Sequence, residues 1–122
     1  MKLYWYSKCS TCRNAKRLLD TLKITYDLVD IVENVPNADE LEKLIRLSEE
    51  NVDKFFNTRG ILYKELGLNK EKLSKMSDSE KIKLLATDGK LLKRPIFFGE
   101  TYVLVGFDEK NWLEKIKYWY YS

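Results

Sequence analysis

Histidine is absent from the 122 residues, and cysteine and proline occur only twice each. Each scarcity excludes something. A structural zinc site takes four Cys or His ligands. With no histidine and no third cysteine, only a dimeric or carboxylate-completed site could hold the metal, so none is expected. No apolar run approaches the length that crosses a bilayer. The opening "MKLYWYSKCS" also lacks the apolar centre and small-residue cleavage site of a secretory signal. No membrane partner is expected, and the chain is assigned to the cytoplasm. In that reducing setting a close cysteine pair more often serves catalysis, redox sensing or metal binding than permanent crosslinking. No repeat, low-complexity stretch or linker divides the chain, so one domain over 1–122 is expected.

Charge is balanced too. The formal net charge is +3, which demands no nucleic-acid partner, and no direct one is expected. Between Lys64 and Arg94, nine Lys/Arg face five Asp/Glu, an excess of +4 that leaves −1 elsewhere. A solvated helical face accounts for this run; a field drawing in a small anion or an acidic partner is the sharper alternative.

What is present is an alternation of elements. "LYWYS" (Leu3–Ser7) is short and aromatic, as a strand should be. From Thr11 onward, Ala15, Leu18, Leu19 and Leu22 recur at helical spacing. "ITYDLVDIV" (Ile24–Val32) reads as a second strand, parallel to the first because a helical crossover separates them. Helical patterns then run from about Asn37 to Gly89, broken near Gly60. Ser77 or Ser79 is a candidate cap for the last of these helices, and Gly89 a candidate terminator. Ile96–Phe98 and Tyr102–Val105, joined through Gly99 and Glu100, suit an antiparallel hairpin. A final helix spans Asp108–Tyr120, with Trp112 and Trp119 as core anchors and Tyr120 and Tyr121 partly exposed. The order β, α, β, helices, β, β, α implies an α/β layer with a mixed sheet covered by helices.

Within that order, "YSKCSTCRNAK" sets Cys9 and Cys12 between the first strand and its helix. Backbone N–H groups and the positive end of the helix dipole favour thiolate there, and the flanking Lys8 and Arg13 push the same way. Cys9, in the loop, is the candidate nucleophile. Cys12, about one turn further in, is placed to attack the resulting adduct and release it as an internal disulfide. A permanent bridge across so short a loop would remove little chain entropy. Accidental burial remains the bland alternative.

Four stretches in this order, "LYWYSKCSTCRNAKRLLD", "LYKELGL", "LLATDGKLLKRPIFF" and "VLVGF", resemble the ArsC-like arsenate reductase family, in the branch with Spx-type and YffB/YusI-like proteins. The resemblance implies a thioredoxin-like fold, with a mixed four-stranded sheet and a helical insertion at about 37–89. It makes Cys9 the nucleophile, matches Arg13 and Asn14 to the residues opening the helix, and matches Arg94 to the anion-contacting arginine. Pro95 then matches the cis-proline beside the cysteine loop, at the one kind of peptide bond where cis is common. Arg59 is a further anion-binding candidate.

The departures carry information. The second arginine expected of arsenate reductases falls on Asn57, with Arg59 two positions away, and "VLVGF" replaces the third. Fewer guanidinium groups mean a weaker fork-like clamp on a tetrahedral oxyanion. Cys12, by contrast, makes a self-contained dithiol cycle available. The expected function is a thiol–disulfide oxidoreductase, with glutathione or another small thiol as reductant and no bound cofactor, acting on a thiol or oxyanion substrate as a monomer. Two alternatives follow from the resemblance: an arsenate reductase linked to glutathione and glutaredoxin or thioredoxin, and an Spx-like redox regulator that binds RNA polymerase.

Overall fold

The computed structural model describes residues 1–121, with side chains through Trp119; the expected exposure of Tyr120 and Tyr121 lies outside the described side chains. Strand β1 (Lys2–Trp5) leads into helix α1 (Ser10–Thr21) and strand β2 (Asp27–Asp30). Four helices follow: α2 (Ala38–Ser48), α3 (Ile61–Glu65), α4 (Lys70–Ser74) and α5 (Asp78–Leu85). Short 3₁₀ turns at Val52–Phe55 and Gly89–Leu91 lie among and after them. Strands β3 (Ile96–Phe98) and β4 (Val103–Val105) and helix α6 (Glu109–Tyr121) complete the chain.

The sheet has the order β2-β1-β3-β4. β1 runs parallel to β2 and antiparallel to β3, which pairs antiparallel with β4. Alternation along the strands sends side chains to two cores. On one face Tyr4, Ile96 and Val103 meet Leu41, Leu44, Phe55, Leu85 and Leu92 from the segment between β2 and β3. On the other, Leu3, Phe97 and Leu104 meet Ala15 and Leu19 of α1 and Trp112 and Ile116 of α6. The sheet is thus covered on both sides, and the ends of β1 and β3 are held rigidly where the cysteine loop begins.

Local chemistry explains where elements depart from the periodic pattern. β2 is shorter than Ile24–Val32: Lys23 takes a left-handed turn at φ 59°, and Asp30 accepts hydrogen bonds from the N–H groups of Val32 and Glu33, ending the strand. Helix α5 starts with a full capping box between Ser77 and Glu80. It ends at Ala86, not Gly89; the Thr87 hydroxyl donates to the Leu84 carbonyl and Asp88 caps the next turn instead. Helix α4 is an element the apolar pattern did not separate from its neighbours, because it is one turn held by the Asn69 cap over a single buried leucine.

Trp119 also departs from expectation. Trp112 is 1% exposed, whereas Trp119 is 46% exposed, since the helix has by then run past the core edge. It stacks on Tyr102, with ring centroids 5.8 Å apart. Among the described residues no helix is long and apolar enough to cross a membrane.

Candidate active site

The cysteine loop is built by the exit from β1. The Cys9 N–H donates to the Tyr6 carbonyl at 3.0 Å, drawing residues 6–9 into a tight turn. Cys9 then takes an extended conformation as the N-cap of α1, and its Sγ accepts the Cys12 N–H at 3.4 Å. A sulfur here does the work that a serine or aspartate oxygen usually does at a helix start. Cys12, one turn on, is fully buried, while Cys9 is partly exposed, and both are free thiols. The two cysteines approach within 3.1 Å.

Their environments drive the two thiols apart. At Cys9 burial opposes ionisation, but it is outweighed by hydrogen bonds from the Cys12 side chain, the Cys12 N–H and the Arg94 guanidinium, together with the Arg94 charge. The Cys9 thiol is therefore held below the ordinary cysteine range. Cys12 is pushed up to about 12, chiefly by burial and then by donating to Cys9. The site thus sets a thiol that ionises more readily than usual beside one that holds its proton.

Arg94 is the cation that matters. It lies over the Tyr6 ring, 5.0 Å from the centroid, and its buried Nη1 has no hydrogen-bond partner among the described residues. The Arg94–Pro95 peptide bond is cis. Neither flanking cation expected to assist Cys9 is among the groups that lower its thiol. Arg13 donates to the Ser7 carbonyl at 2.7 Å, bracing the loop, and Lys8 is exposed, with no ion pair among the described residues. Asn14, exposed on α1, accepts from Arg17. Arg59 is exposed in the turn before α3. Asn57, where a further arginine was expected, pins that turn: its N–H donates to the Leu91 carbonyl at 2.7 Å.

An open groove of about 620 Å³ runs from this site, lined by Thr11, Lys54, Lys93, Arg94, Phe107 and Asn111 among others. Three of its side chains are cationic, though Lys54 is paired with Glu50 at 3.0 Å and Asp108 also lines the groove. The groove and Arg94 together can hold a carboxylate or another anion beside a reactive sulfur.

With this geometry in hand, comparison with known proteins is informative: residues 4–115 match the model of the ArsC family. The chain belongs to the ArsC family. Among relatives, this ArsC-family chain is 44% identical over 116 residues to Bacillus subtilis YusI, covering 92% of the chain and 98% of YusI. It is 34% identical to the Bacillus anthracis global transcriptional regulator Spx 2, over 89% of the chain and 81% of the regulator. A crystal structure of an ArsC-family-related protein from Bacteroides fragilis superposes with a TM-score of 0.88 at 46% identity, covering 93% and 94% of the two chains. The fold is accordingly thioredoxin-like, with the four-stranded mixed sheet described above.

Two residues of the ArsC-family site escaped the sequence reading. Lys93 adjoins Arg94, so the basic dipeptide carried its signal. Nothing in the sequence marks Tyr6, because an aromatic at the end of a strand reads as packing.

Proposed function

We propose that the protein is a thiol–disulfide oxidoreductase in which Cys9 is the nucleophile and Cys12 the resolving thiol. The observation that carries this reading is the divergence of the two thiols, one stabilised as thiolate at a helix N-cap beside Arg94, the other buried and protonated in contact with it. The Cys9 thiolate attacks one sulfur of a substrate disulfide; that S–S bond breaks, and the departing thiolate takes up a proton. Forming the mixed disulfide removes the negative charge at Cys9 that raises Cys12. Cys12 then loses its proton more readily and attacks the Cys9 Sγ. The second substrate sulfur leaves as a thiol, two electrons have passed to the substrate, and Cys9 and Cys12 are joined. Two equivalents of a small thiol, such as glutathione, return the pair to its reduced state with a new disulfide as product. Lys93 and Arg94 suit the carboxylates of such a thiol.

Arsenate is a poorer match. Of the arginines weighed, only Arg94 stands against the nucleophile, and a single guanidinium is a weak clamp for a tetrahedral oxyanion. The similarity to Spx 2 favours one second reading, a redox regulator that engages RNA polymerase and is switched by the same cysteine pair.

Turnover of glutathione mixed disulfides, a protein disulfide and arsenate by wild type, Cys9→Ser and Cys12→Ser tests the set. Cys9→Ser is expected to lose all activity and Cys12→Ser to accumulate a mixed disulfide visible by mass spectrometry. Full activity in Cys9→Ser overturns the mechanism. Brisk arsenate turnover favours the reductase, and absence of turnover with retention of purified RNA polymerase favours the regulator.

A further inference from the structure

The outer edge of the sheet adds to this. β4 is an edge strand, and its ladder with β3 uses the main chain of alternate residues. Gly99 N–H donates to the Tyr102 carbonyl and Gly106 N–H to the Pro95 carbonyl. In the observed register, Phe98 to Val103 and Ile96 to Val105, the main-chain groups of Val103 and Val105 therefore turn away from β3. Neither has a hydrogen-bond partner among the described residues. Val103 is nevertheless only 4% exposed. Enclosed but unpaired main-chain groups are costly, and their N–H and C=O groups match one kind of occupant, another extended chain.

There is room for one. A cavity of about 310 Å³ lies along this edge, walled by Ser48 and Glu49 at the end of α2 on one side and by Asn111 and Lys115 of α6 on the other. Glu50, Lys54, Val105 and Asn111 line both this cavity and the groove that reaches Thr11 and Arg94, so the two spaces adjoin. At the far end Trp119, half-exposed and stacked on Tyr102, offers a rigid apolar platform.

We propose that the β4 edge is a docking rail for an extended segment of a protein substrate, which pairs with Val103 and Val105 and carries its own disulfide toward Cys9. The proposal rests on the oxidoreductase reading and narrows its substrate class from disulfides in general to those carried by polypeptides. From Thr101 to Val105 the rail spans about 13 Å at strand spacing. A substrate therefore reaches Trp119 with an apolar side chain four or five residues from the end nearest the cysteines.

The test uses a decapeptide of alternating Val and Thr with one cysteine as its glutathione mixed disulfide and a leucine five residues away, beside glutathione disulfide as the small substrate. Val103→Pro deletes an outward N–H without touching the β3 ladder, and Trp119→Ala removes the platform from an exposed position; thermal melting verifies that both fold. Each variant is expected to lower kcat/KM for the peptide about tenfold, the worth of one or two hydrogen bonds or an anchor, with glutathione disulfide within twofold of wild type. Hydrogen exchange supplies a readout free of chemistry: the same peptide with serine for cysteine should protect the Val103 and Val105 amides. Equal losses on both substrates, unprotected amides at saturating peptide, or protection that grows with protein concentration alone and signals self-pairing would each overturn the proposal. If wild type reduces neither substrate the oxidoreductase reading fails, and the exchange measurement still decides whether the rail binds a chain.

Discussion

At the scale of the residue, the site depends on one guanidinium more than on its neighbours in sequence. Arg94 is held over Tyr6 and against Cys9, whereas Arg13 is spent on the Ser7 carbonyl. Replacing Arg94 with leucine should raise the Cys9 pKa toward the ordinary value near 9. Since each unit is about a factor of ten in thiolate well below the pKa, iodoacetamide alkylation at pH 7 should slow severalfold. Its pH profile should move to the alkaline side, while Arg13→Leu leaves that profile in place. An unmoved profile in Arg94→Leu would assign Cys9 activation to the helix N-cap alone. Arg94 was legible only through the family resemblance, which matched it to an anion-contacting arginine. Its partner Tyr6 was not, because a ring–cation contact between residues 6 and 94 has no local signature.

At the scale of the element, caps were easier to read than ends. Asn37 and Ser77 cap α2 and α5 through side-chain bonds three residues long, the sort of interaction sequence displays directly, whereas the Asn69 cap of the one-turn α4 went unread. Gly89 shows the opposite. It reads as a helix terminator, but its glycine is required by packing: a Cβ there would lie 1.9 Å from the Ile31 carbonyl oxygen, where the 3₁₀ turn Gly89–Leu91 crosses the end of β2. Gly89→Ala must push backbone against backbone, and a cost of about 2–3 kcal/mol, in the upper range for overpacking, is expected from urea denaturation. Ser77→Ala should cost about 1 kcal/mol through the lost capping box. A Gly89→Ala penalty no larger than that of Ser77→Ala would mean the turn yields freely.

At the scale of the whole molecule, proton binding links the cores to pH. Burial is the leading cause that pushes Cys12, Tyr26 and Tyr102 up to about 12, and Tyr4, buried against Glu40, higher still. The ordinary values are near 9 for cysteine and 10 for tyrosine. Raised native values mean that the unfolded chain releases these protons first as pH climbs. Their contribution is whole below about pH 9 and is lost progressively between there and pH 12. The urea midpoint of the reduced protein should therefore fall from pH 8 to pH 10.5; a constant or rising midpoint would contradict the burial of these groups.

The sequence by itself determined the order of elements, the parallel crossover from β1 to β2, the hairpin at β3 and β4, and a cysteine pair at a helix start. All of these follow from periodicity, turn chemistry and spacing over a few residues. Only the tertiary structure decided which cation faces Cys9, why residue 89 must be glycine, where α6 leaves the core at Trp119, and that the main chain of β4 faces a cavity adjoining the groove at Arg94. Those outcomes join residues tens of positions apart through contact and excluded volume. A chain states such quantities only once it has folded.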